Sequence, residues 1–68
     1  MKYEYRKLRG LVIEKFLTFE AFAKDIGRST VSVSNKMRGA SAFSQDDIEL
    51  WAKALDIPVR DYGIYFFT

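Results

Sequence analysis

Neither histidine nor cysteine occurs in the 68 residues. That removes the commonest general base, the Cys–His and Ser–His nucleophile pairs, and the imidazole and thiolate metal ligands together. The neighbouring carboxylates Asp46 and Asp47 do not replace them, because adjacent positions on a helix do not face each other; they read as helix-dipole residues. No glycine-rich phosphate loop is present. The expectation is a protein that is not an enzyme and needs no cofactor, metal or small-molecule ligand. The chemistry left is that of contact. Residues 28–38 gather Arg28, Ser29, Thr30, Val31, Ser34, Asn35, Lys36 and Arg38, short polar side chains interleaved with cations. Residues 1–39 hold nine Lys and Arg against four Asp and Glu, a net of +5, while residues 40–68 hold two against five, a net of −3. A basic front half with an acidic rear suits one face made for a polyanion; ordinary solvated surface charge is the alternative.

These side chains must be held by a very small core. A chain of this length forms one domain and buries only roughly 60% of its unfolded surface. With no disulfide available, the eleven aromatic residues must supply much of that core. Leu8, Leu11, Val12 and Phe16 recur at helical spacing and predict a helix over 6–16. Thr18 is a good N-cap for a second helix to residue 26. Its stripe is Phe19, Phe22, Ala23 and Ile26, and Gly27 is its stop. The run Thr30-Val31-Ser32-Val33-Ser34 alternates as a half-exposed strand would. Ser29 as a cap, Val33 and Met37 on one face and Gly39 as a stop instead predict a helix over 30–38. Ser44 caps a fourth helix over 45–55, with Ile48, Trp51, Ala52 and Leu55 as its apolar stripe. Pro58 and Gly63 are expected to open and close a last short helix, and Ile64–Thr68 to form an extended apolar tail. The fold class is thus all-α, a compact bundle of about five short helices. Its core is expected around Trp51, with Leu8, Val12, Phe22, Ile26, Val33, Met37, Phe43 and Leu55.

Within this pattern Ala23 is small enough for two helices to cross closely, and Gly27 permits a left-handed turn between them. Val33 and Met37 then pin the third helix to the core and leave Val31, Ser34, Asn35 and Arg38 facing out. A face chosen for solubility alone would favour Glu, Lys and Gln, so this composition suggests contact. The stretch Leu17-Thr18-Phe19-Glu20-Ala21-Phe22-Ala23-Lys24-Asp25-Ile26-Gly27 resembles the second helix and turn of the phage repressor and Cro-like helix-turn-helix family. So do Val33-Ser34, Arg38-Gly39, Phe43-Ser44 and the run from Ile48 to Pro58. The similarity covers roughly residues 6–62 and is nearest to small regulators of temperate phages of Gram-positive bacteria.

The resemblance implies a lambda-repressor-like helix-turn-helix at about 18–38 within a single DNA-binding domain, 1–68. It implies that Thr30, Val31 and Asn35 meet base edges, with Val31 on a thymine methyl and Asn35 on adenine. Arg28, Ser29, Ser34, Lys36 and Arg38 would lie along the phosphates. The function implied is a Cro-type repressor, binding double-stranded operator DNA as a homodimer in the cytoplasm of a bacterial host. Phe19 stands where the family usually has a phosphate-binding Gln. Phe19, Ile64, Phe66 and Phe67 are therefore candidates for a protein interface, either between two copies or with a phage repressor protein that this chain would modulate. Two tails, or a tail and the Lys2–Tyr5 segment, could pair through free backbone groups. The longest apolar run is Ile64–Phe67, far short of the ~20 residues a bilayer needs, and no signal-peptide pattern opens the chain. A soluble intracellular protein with no membrane partner is expected.

Overall fold

A computed structural model describes residues 3–68; Lys2, part of the segment expected to pair with the tail, lies outside the described residues. The chain folds as α1 (Arg6–Phe16), α2 (Phe19–Ile26), α3 (Thr30–Met37), α4 (Gln45–Leu55), a 3-10 turn (Val59–Asp61) and α5 (Tyr62–Phe66). The four longer helices fall within about a residue of the spans expected from sequence. The ambiguous run at 30–34 is helical.

Local signals account for most boundaries. The Thr18 hydroxyl accepts the Ala21 N–H at 3.0 Å, and the Ser29 hydroxyl accepts the Ser32 N–H at 3.1 Å, so two orphan donors at the starts of α2 and α3 are satisfied. Ser44 and Asp47 form a reciprocal capping box at the start of α4, with bonds of 3.0 and 3.1 Å. Gly27, at φ 72°, ends α2 in the left-handed region, and the Arg28 N–H then reaches back to the Ala23 carbonyl at 2.9 Å. Among the described residues, three without glycine's freedom also take positive φ: Tyr5, Leu17 and Asp56. Asp56 ends α4 there, and the chain closes through Ile57 N–H to the Ala52 carbonyl at 2.9 Å with Ile57 buried.

The core is an edge-to-face chain of rings that links the helices. Phe16 meets Phe22 at 5.2 Å, Phe22 meets Trp51 at 4.8 Å, and Trp51 meets Phe43 at 4.8 Å. Phe43 in turn meets Tyr5 and Phe66, each at 5.3 Å. Such pairs contribute about 0.5–1.5 kcal/mol each beyond area burial. Leu8, Val12, Ile26, Val33, Met37 and Leu55 complete the cluster, with Ala23 and Ala52 where helices approach closely. Phe43 is half-buried, while Tyr5, Ile57 and Phe66 join the buried set unanticipated.

The C-terminal end departs from expectation in two respects. Gly63 does not close the last helix but lies inside α5, and Ile64–Phe66 is helical rather than extended. The cause is the aromatic Phe66, which turns inward and is 1% exposed, and a helical turn is what brings it onto Phe43 and Tyr62. The chain then returns to its own beginning, where the Glu4 and Tyr5 N–H groups donate to the Thr68 carbonyl at 3.0 and 3.3 Å.

Candidate nucleic-acid interface

Two short helices joined by the three residues Gly27–Ser29 present α3 on the outside of the bundle. Val33 and Met37 are buried, at 0% and 2% exposure, which fixes the inward side of α3 against α2. Thr30 and Arg38 are exposed at its two ends, Ser34 and Asn35 are half-buried, and Val31 stands 68% exposed. An aliphatic β-branched residue left this open on a short helix has little to contribute to folding, since it neither packs nor favours the helix. Arg28 and Ser29 are exposed just before the helix, and Ser29 already uses its hydroxyl as the cap.

The helix ends in a tight closure that holds Asn35 and Arg38 in register. Arg38 N–H donates to the Ser34 carbonyl at 3.0 Å, and the Asn35 carbonyl accepts from Ala40 at 2.9 Å and Ser41 at 3.3 Å. Gly39, at φ 78°, makes this reversal possible. Between the side chains, Arg38 Nη2 donates to Asn35 Oδ1 at 2.7 Å. The i, i+3 spacing of the two was visible in the sequence, yet only their separate roles were expected.

Lys36 differs from expectation. Its ammonium lies 3.3 Å from Asp47 Oδ2, and the two side chains are only 15% and 14% exposed. It therefore ties α3 to the first turn of α4 instead of standing free for a phosphate. Burial works to raise the Asp47 carboxyl, but the Ser44 backbone N–H, the Ser44 hydroxyl and Lys36 outweigh it and hold the group below the ordinary carboxylate value. No local spacing signals a pair eleven positions apart, so sequence could not have supplied it.

The residues expected at a protein interface separate. Phe66 is a core residue and is withdrawn from that set. Phe19 is half-buried and packs against the core from the start of α2. Ile64 and Phe67 remain open, at 43% and 50% exposure. Phe67 borders a hollow of about 260 Å³ that Tyr3, Tyr5, Phe43, Ile48 and Phe66 also line. Among the described residues no group of three or more His, Cys, Asp or Glu could hold a metal ion, and no helix is long and apolar enough to cross a membrane.

One comparison bears on the whole chain. A family model described as "Protein of unknown function (DUF739)" matches residues 1–68, and the chain belongs to that family.

Proposed function

We propose that the protein is a sequence-specific regulator of the Cro type, which docks α3 in the major groove of double-stranded operator DNA. The observation that carries this reading is the outward face of α3. A capped, well-pinned helix offers Thr30, Val31, Ser34, Asn35 and Arg38 to the outside, with Arg28 and Ser29 at its positive N-terminal end. Base edges fall to Thr30, Val31 and Asn35, and phosphates to Arg28, Ser29 and Arg38. Lys36 contributes by holding the angle of α3 rather than by touching the duplex. The mechanism that goes with this reading is repression by covering a promoter, as a homodimer in the bacterial cytoplasm.

A second reading, a modulator that binds a phage repressor protein, is favoured by exposed Ile64 and by exposed Phe67 at the border of a hollow lined largely by aromatic residues. Enrichment of random duplexes by the purified protein, followed by a gel shift on the enriched site, separates the two. A shifted band with a defined site supports the regulator. Absence of binding to any duplex, with capture of a phage repressor, supports the modulator.

A further inference from the structure

Of the three cations in and beside α3, the fold neutralises only Lys36. Arg28 and Arg38 are exposed and form no ion pair among the described residues. Lys36 Nζ lies 3.3 Å from Asp47 Oδ2, and theirs is the one ion pair among those residues in which both side chains are mostly covered. On the reading of α3 as the DNA-reading helix, we infer that Asp47 withholds the Lys36 charge from the DNA backbone and so sets the sequence-independent part of the affinity.

Lys36 stands where its charge would otherwise count. Successive helix residues are about 100° apart, from 3.6 residues per turn, so Lys36 lies on the flank of α3 between Asn35, on the outward side, and buried Met37. A helix with its side chains is about 10–12 Å across and the major groove about 12 Å wide, so the flanks of a seated helix face the phosphate backbones. An unpaired lysine on such a flank meets phosphate.

Asp47 keeps the lysine on the protein instead. The carboxylate is not free to follow the ammonium outward, because the same Oδ2 accepts the Ser44 N–H at 3.0 Å in the capping box of α4. Lys36 could reach phosphate only by leaving a mostly covered carboxylate without its cation, which is costly, whereas a phosphate contact is weakened by the salt in solution. The closed pair is neutral, so this flank adds no net attraction for DNA of any sequence, and Arg28 and Arg38 are left to supply the charge.

Salt titrations of a scrambled duplex test this with wild type, Lys36→Met, Asp47→Asn, the double variant and Asp47→Glu. Each phosphate that a cation engages steepens the fall of log K with log salt by about 0.9. Lys36→Met should leave the wild-type slope almost unchanged, because that charge is not on the DNA. Asp47→Asn frees the lysine and should steepen the slope by about 0.9, an extra loss of about three- to fourfold between 50 and 200 mM salt. The double variant should return to the wild-type slope, which separates the freed lysine from the mere loss of an acid. Asp47→Glu keeps a carboxylate at the capping-box position and should keep the wild-type slope. A slope lowered by Lys36→Met as much as by Arg38→Ala would place Lys36 on phosphate already and overturn the inference. An Asp47→Asn slope equal to wild type would overturn it too, and either result leaves α3 as a DNA-binding helix. Failure of wild type to bind any duplex would overturn the reading of α3, and this inference with it. Titrations are run at a temperature where circular dichroism shows each variant folded; if Asp47→Asn does not fold, the slope of Lys36→Met decides alone.

Discussion

Lys36 Nζ on α3 and Asp47 Oδ2 on α4 approach to 3.3 Å, with 15% and 14% of their side chains exposed. The same Asp47 oxygen accepts the Ser44 N–H at 3.0 Å. One carboxylate thus closes the capping box of α4 and anchors the candidate DNA-reading helix. Lys36→Met should destabilise the protein by about 1–2 kcal/mol, because it leaves a mostly covered charge with one partner fewer. Asp47→Asn should cost more, since it weakens both the pair and the box.

The same pair gives a sign to the pH dependence. Asp47 is held below its ordinary value in the folded protein, so its contribution is present above about pH 4 and is lost as pH falls through the lowered folded value. Thermal melts at pH 7, 4, 3 and 2 should show wild type losing stability toward the acid end. The gap between wild type and Asp47→Asn should narrow over the same range. A gap that stays constant from pH 7 to 2 would show that the carboxylate charge contributes nothing.

Trp51 and Phe66 both pack on Phe43 in the aromatic chain. Each is 1% exposed. Phe66→Ala and Trp51→Ala should each cost about 3–5 kcal/mol, which approaches the whole stability of a domain this size. Chemical denaturation would show the midpoint collapse in both. A Phe66→Ala protein that melts within a few degrees of the parent would mean that α5 is not part of the core.

Leu17 is held at φ 71° and ψ −37° while 78% exposed. A branched side chain in that region costs about 1–3 kcal/mol, and this leucine recovers little of it by burial. Leu17→Gly should relieve the strain at an entropic cost of about 0.5–1 kcal/mol. The net effect should raise Tm by a few degrees. A lower Tm would assign Leu17 a packing role.

How much of this was legible in the sequence follows the range of each interaction. Thr18, Ser29 and Ser44 act within four residues of themselves, so their caps and the helices they open could be read directly. Val33 and Met37 likewise identified the inward face of α3. Phe66 could not be read, because beyond its neighbour Tyr62 its burial depends on Phe43, which is distant in sequence and is joined to it only by the closed bundle. Lys36 and Asp47 are separated by the turn after α3, and neither position carries a local signal for the other. Asn35 and Arg38 lie in the readable range, but their bond needs side-chain directions that spacing alone does not fix.

Phe67 and Ile64 leave apolar surface at the C-terminal end even after Phe66 has turned inward. Pairing of two copies through this end would cover it and relate their two α3 helices by the two-fold symmetry that a palindromic operator would require. Sedimentation velocity over a range of concentrations should show a mass that rises with concentration for wild type and stays monomeric for a Phe67→Ser, Ile64→Ser double variant. A wild-type monomer at every concentration would remove the dimer from the account.

If the outward face of α3 reads DNA, fluorescence anisotropy on an enriched duplex will register the loss of single side chains from it. Titrations with wild type, Asn35→Ala and Arg38→Ala, repeated on a scrambled duplex at several salt concentrations, contain the needed comparison. Asn35→Ala should lose about 1–3 kcal/mol on the selected site and almost nothing on the scrambled one. Arg38→Ala should weaken both duplexes and lower the salt slope by about one if its free donors reach a phosphate. Unchanged affinity of both variants on the selected duplex would contradict the claim, and would direct attention from α3 to the apolar end that carries Ile64 and Phe67.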